Sequence, residues 1–239
     1  TGIASSAGPV AIDASNSTAT MDLGTISASG VTIVTGARGD VSATLVDSTG
    51  GFTIDASNGA SAQVAVTNTS VSGAITISLG SGTGALSAGN LNSTKGVTVD
   101  AGSKAFNGTV DLTSVSGSGV TLSLGLSGNF SAASVNSTKA FTLDGAASVS
   151  SDITFASLEA ASGVTVSLGS GSGNVSIGSA SSAGSFTLDA SNSSATLDVQ
   201  TLSASGISIV TSTAGDFSAQ TIIGDGGFTL DASNATGST

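Results

Sequence analysis

The chain contains no cysteine, no histidine, no tryptophan and no tyrosine, and a single proline in 239 residues. Without His or Cys there can be no Ser-His-Asp or Cys-His pair, no zinc site of the usual ligands and no redox thiol. The absence of cysteine also excludes a disulfide framework, which is compatible with secretion by a bacterium. Glutamate occurs once, at Glu159, so paired-glutamate catalysis is excluded. Charge is scarce as well: Asp, Glu, Lys and Arg make up 8% of the chain, against about 25% in an ordinary soluble domain. Fifteen acidic residues face four basic ones, for a formal net charge of −11. Four cations cannot build a phosphate-binding surface and an acidic chain is repelled by polyanions, so no nucleic-acid partner is expected. No run of about 18 apolar residues exists, so no membrane-spanning segment is expected. No Lys/Arg-headed apolar segment opens the chain, and a targeting signal is expected to lie outside it.

What remains is mostly Gly, Ala, Ser and Thr, a composition that could describe a flexible linker. Internal periodicity decides otherwise. The phrase Phe186-Thr187-Leu188-Asp189-Ala190-Ser191-Asn192 returns at Phe228 to Asn234, Phe52 to Asn58 and Val10 to Asn16, with looser copies from Val97 and Phe141. Between these come Val31-Thr-Ile, Ile75-Thr-Ile, Val120-Thr-Leu, Val164-Thr-Val and Ile207-Ser-Ile. Units therefore start at 10, 31, 52, 75, 97, 120, 141, 164, 186, 207 and 228, and each is 21 to 23 residues long. Disorder does not keep such a register.

Within a unit the first position is always apolar and the third is always Ile, Leu or Val. The second is Thr in nine of eleven units, Ala11 and Ser208 being the exceptions. This alternation of apolar and polar residues marks a strand with one buried face. A second alternating run (Ala195-Thr196-Leu197-Asp198-Val199) and a short third one (Leu202-Ser203-Ala204) follow, separated by Ser/Asn/Gly turns. Three short strands in about 21 residues describe one coil of a parallel β-solenoid, or β-helix. Ten full coils, with partial coils at both ends, would make a rod roughly 50 Å long at about 4.8 Å per coil. Phe52, Phe141, Phe186 and Phe228 fall in one interior column, and Phe130 and Phe217 in another. A β-propeller with a blade of 42 to 45 residues is the alternative; the clean halving of that period favours the solenoid.

Residues 1–63 align without a gap on 177–239, with 34 of 63 identical, so eight coils form a 176-residue higher-order repeat. Residues 1–239 are read as one continuous solenoid, expected to be a slice of a longer array, since no distinct capping repeats are visible.

Several columns could carry chemistry. Position four is Asp in alternate coils (Asp13, Asp55, Asp100, Asp144, Asp189, Asp231) and Val or Ser in the others. Carboxylates in adjacent coils would stand about 4.8 Å apart and repel; skipping a coil doubles that distance. Each Asp also precedes a turn whose backbone N–H groups it can accept. The alternative reading is calcium, a hard cation that takes carboxylate, carbonyl and hydroxyl oxygens. Asp40 and Asp216, each after a glycine, are candidates of the same kind, whereas Gly169-Ser-Gly-Ser-Gly-Asn-Val-Ser-Ile177 carries Asn174 where the calcium-solenoid motif has Asp. No cofactor is required by the sequence; calcium is the one it suggests. Asp22, Asp111 and Asp198 form a partial second column.

Thr ranks on a flat face can also order water and bind ice, but that use wants two clean ranks, and the neighbouring rank alternates Asp with Ser or Val. Lys95 and Lys139 end identical Asn-Ser-Thr-Lys phrases two coils apart, and so should share a face where they meet acidic columns of their own or a neighbouring molecule. A solenoid lyase would need carboxylates beside several cations. The only Arg, Arg38, lies two residues before Asp40 with no second basic residue to join it, and no enzymatic activity is expected.

The Thr-Leu-Asp-Ala-Ser and Ser-Leu-Gly-Ser-Gly-Ser-Gly phrases, with low charge and no Cys, resemble the repetitive regions of bacterial surface-layer proteins and of large secreted adhesins of the repeats-in-toxin type. The resemblance implies secretion, calcium-dependent assembly and a structural or adhesive role. The expectation is an extracellular or cell-surface protein that self-associates into a filament, matrix fibre or surface layer. A stalk or ligand-binding segment of an adhesin, with cell-surface polysaccharide as the candidate partner, is the alternative.

Overall fold

The computed structural model describes residues 2–101, 105–145, 150–212 and 214–233. They form 21 strands in one sheet system and no helix. Every strand pairing among them is parallel, which settles the architecture as a β-solenoid and excludes the antiparallel blades of a propeller.

The first strand of each coil is the alternating segment anticipated above: Val10–Ala14, Val31–Thr35, Phe52–Ala56, Ile75–Leu79 and so on. Val10 pairs with Val31, Val31 with Phe52, Phe52 with Ile75, Ile75 with Val97 and Val97 with Val120. The series continues through Phe141, Val164, Phe186 and Ile207 to Phe228. All eleven anticipated starts thus stack on one another. The register holds because a slip of one residue would turn every Val, Ile, Leu and Phe of that strand out of the core.

The anticipated second and third runs stay separate in the first coil, as Met21–Asp22 and Thr25–Ala28, and are joined from Val41–Ser48 onward. Gln63–Val71 is one nine-residue strand in which Val64, Val66, Thr69 and Val71 are buried. Its alternation breaks at Thr67-Asn68, two outward residues in succession, where the chain turns a corner between two faces of the rod. The same break recurs in Thr109–Gly117 and Asn129–Ser137. In these coils a stretch read as two short strands with a gap is a single hydrogen-bonded strand bent at the corner, and in Val175–Ala190 and Leu197–Thr211 it runs on into the next first strand.

Inside, the buried apolar residues form one continuous cluster running the length of the rod. Each fully buried Val, Leu, Ile or Phe contributes about 1.5–3 kcal/mol, and the narrow lumen leaves room for little else. Phe52, Phe141, Phe186 and Phe130 lie in the core as expected, joined by Phe106 and Phe155. Phe217 is only half-buried, and Phe228 and Leu230 are exposed at the last described coil, where no described residue stacks on their far side.

Candidate functional site

Turn chemistry positions the outward columns. In the alternate coils, Asp13 Oδ1 accepts the Ser15 N–H at 3.0 Å, and Asp55, Asp189 and Asp231 accept from Ser57, Ser191 and Ser233 at 3.0, 3.0 and 2.9 Å. The Ser57 hydroxyl adds a second bond to Asp55 Oδ1 at 2.5 Å. These are Asx-type caps on the turn that leaves the first strand. The Ser15 backbone N–H, then its hydroxyl, hold the Asp13 carboxyl below its ordinary value of 3.8. At Asp231 the Ser233 hydroxyl leads and the backbone N–H follows, in the same direction. The register places Val34 between Asp13 and Asp55. Ser78, Ser123, Ser167 and Val210 separate the later pairs up to Asp189 and Asp231. No two carboxylates of this column are adjacent.

Asp40 and Asp216 belong elsewhere. They sit just before the second strand, where Asp40 Oδ1 accepts the Gln63 N–H of the next coil at 2.9 Å. Asp152, not singled out from the sequence, does the same for the Asn174 N–H at 2.9 Å, while its own N–H donates to Asn129 Oδ1 at 3.3 Å. This ladder of side-chain acceptors continues the backbone pairing past the strand start. It could not be read from spacing alone, because the turn before it varies: Val31 to Val41 spans 10 residues and Val97 to Val110 spans 13. Of the second carboxylate column, Asp111 Oδ1 accepts the Ser131 hydroxyl at 2.6 Å. A further rung joins Asn90 Nδ2 to Asn68 Oδ1 at 2.6 Å.

Among the described residues no three carboxylates come close enough to hold a metal ion. A calcium ion takes six to eight oxygens, whereas these columns spread single carboxylates along the rod and engage Asp13, Asp40, Asp55, Asp111, Asp189 and Asp231 with N–H or hydroxyl donors. The described carboxylates do not assemble such a cage.

The Asn-Ser-Thr-Lys phrases also acquire a structural role. Ser93 and Ser137 point inward and are buried at the corner before the first strand. The Ser93 hydroxyl donates to the Gly73 carbonyl at 2.6 Å and accepts the Lys95 N–H at 2.9 Å, and Ser137 donates to the Ala140 carbonyl at 2.7 Å. The corner is thereby fixed, with Lys95 and Lys139 exposed beside it. Along the same corner runs a groove of about 420 Å³ lined by Asn136, Thr138, Glu159 and Ser181. No helix among the described residues is long and apolar enough to cross a membrane.

The fold and these columns define a tandem-repeat parallel β-solenoid with a hydroxyl-rich, sparsely acidic surface. No protein-family model, no curated protein and no solved structure matches the chain.

Proposed function

We propose that this chain is a structural, extracellular or cell-surface protein, a rod that associates end to end and side by side into a filament, matrix fibre or surface layer. The observation that carries the reading is the unbroken first-strand register from Val10 to Phe228. It stacks Thr32, Thr53, Thr76, Thr98 and their successors in one in-register rank, in which Ala11 and Ser208 replace Thr. Such regularity serves a building material, in which the same hydroxyl rank recurs on coil after coil beside an acidic rank that recurs on every second one. The composition agrees, since a chain without His, Cys, Trp or Tyr is equipped for packing rather than for chemistry. Electron microscopy and sedimentation of the purified chain across salt and calcium concentrations test the reading. Filaments or sheets are expected, and monomeric rods under every condition would overturn it.

A second reading, a ligand-binding segment of an adhesin, is favoured by the groove at Asn136, Thr138, Glu159 and Ser181. Its amide, hydroxyl and carboxylate groups suit a polysaccharide's hydroxyls. Binding to a panel of acidic and neutral polysaccharides, abolished by Asn136→Ala with Glu159→Ala, would support it; equal binding by the variant would remove it.

A further inference from the structure

The first-strand face has two chemically different edges. At one edge lies position four, the strand-end rank that carries Asp on alternate coils. At the other, the residues two before the strand's first apolar position are Gly8, Ser29, Gly50, Gly73, Lys95, Ser118, Lys139, Ser162, Gly184, Ser205 and Gly226. The two lysines of this edge therefore stand on coils that also bear an Asp, Lys95 with Asp100 and Lys139 with Asp144, and the remaining Asp coils carry Gly at that edge. Lys95 and Lys139 are two coils apart, about 9.6 Å along the rod, which is also the spacing of the Asp column.

We propose that this face docks on the same face of a second copy of the chain, with the two rods parallel and Lys95 and Lys139 of each opposite Asp100 and Asp144 of the other. The inference rests on the self-association reading above and names its lateral contact. Rod direction follows from the edges. A two-fold axis along the rods exchanges left and right edges and keeps each coil at its own height, so the lysine edge of one copy meets the acidic edge of the other. A two-fold axis along the strands, which would make the rods antiparallel, sets lysine against lysine and Asp against Asp. In the parallel arrangement every Asp of the column meets Lys or Gly and never another acid, and symmetry doubles the two ion pairs to four.

The surface is large enough. Ten coils of a five-residue strand cover about 50 Å by 16 Å, about 800 Å² on each copy, which is the size of a standard stable interface. The column one position before the first apolar residue holds Gly in seven coils and Pro9, Ala74, Ala140 and Ser185 in the other four, so only small side chains flank the Thr rank where the other copy would meet it.

The test mixes isotope-labelled and unlabelled 239-residue chain, couples amines to contacting carboxylates with a zero-length carbodiimide, and locates mixed-isotope links by mass spectrometry. Links joining Lys95 to Asp100 and Lys139 to Asp144 between copies are expected. Lys95→Glu with Lys139→Glu should cut the assembled fraction at least tenfold without changing the circular dichroism spectrum, and adding Asp100→Lys and Asp144→Lys should restore it. Assemblies linked through other residues, or charge-reversed chains that assemble as well as the parent, would overturn this interface and leave self-association standing. A chain that never assembles overturns both.

Discussion

Phe155 meets the ring of Phe141 edge-on, with centroids 5.5 Å apart and planes at 87°, and also packs on Phe130 at 5.2 Å. Phe141 belongs to a first strand and Phe130 and Phe155 to second strands, so the three rings tie two faces of the rod together across its lumen. Phe155→Ala should cost about 3–5 kcal/mol, read by urea denaturation. Hydrogen exchange should quicken first in the coils that begin at Val120, Phe141 and Val164, because each coil contacts only its neighbours. A variant as stable as the parent would show that the ring cluster is not part of the packed core.

Thr35 points inward at a position that Ala14 and Ala56 occupy in the coils on either side. It is fully buried, and its hydroxyl has no hydrogen-bond partner. A buried unsatisfied hydroxyl costs about 1–3 kcal/mol, and Val has the same shape without it. Thr35→Val should therefore raise the unfolding free energy by about 1 kcal/mol or more. A decrease would mean that the hydroxyl is satisfied in solution.

The Asp13 carboxyl, drawn down by Ser15, links turn stability to pH. A folded-state pKa below the unfolded one contributes stability that is present above the unfolded value and is lost as pH falls through the folded value. The Asp13 turn should thus hold above about pH 4 and loosen only below the ordinary value of 3.8. An NMR titration should place the Asp13 midpoint under 3.8, with the Ser15 amide shift following it. A midpoint at or above that value would rule out the cap.

Gly82 has φ of +105°, donates its N–H to the Ala105 carbonyl at 2.8 Å and accepts from the Asn107 N–H at 2.7 Å. A Cβ there would also run into the Ala60 carbonyl. Gly206, by contrast, has open space around a virtual Cβ and an ordinary strand conformation. Gly82→Ala should destabilise by more than about 1 kcal/mol and Gly206→Ala should be neutral or stabilise by about 0.5 kcal/mol. Equal effects in thermal melts would contradict the turn geometry.

Because the described carboxylates are spread along the rod with no three close together, and several, such as Asp13 and Asp152, are hydrogen-bonded within it, chelation should leave the melting temperature of the monomeric rod unchanged. A fall on adding chelator, reversed by calcium, would reveal a site that the columns do not show.

The coil starts were legible because alternation along a strand is a local property. Val31-Thr32-Ile33 needs no knowledge of its neighbours to declare which side is buried, and the repeat spacing then stacks one such triplet on the next. The alternating Asp column was legible for the same reason. Asp152 was not, because its partner, Asn174, becomes adjacent only once two turns of different length have been closed. The bend at Thr67-Asn68 was equally hidden, since two outward residues in succession look like a strand ending rather than a strand turning.

The sequence by itself determined the solenoid, its coil length and the residues that fill it, since period-two burial and a 21- to 23-residue repeat admit little else. Tertiary structure alone decided how side chains of different coils and faces meet: Phe155 on Phe141, Asp152 on Asn174, Ser93 under the corner that carries Lys95. Those contacts depend on the path of the turns between strands, and a turn's path is set by the backbone groups it must satisfy in the coil beneath it.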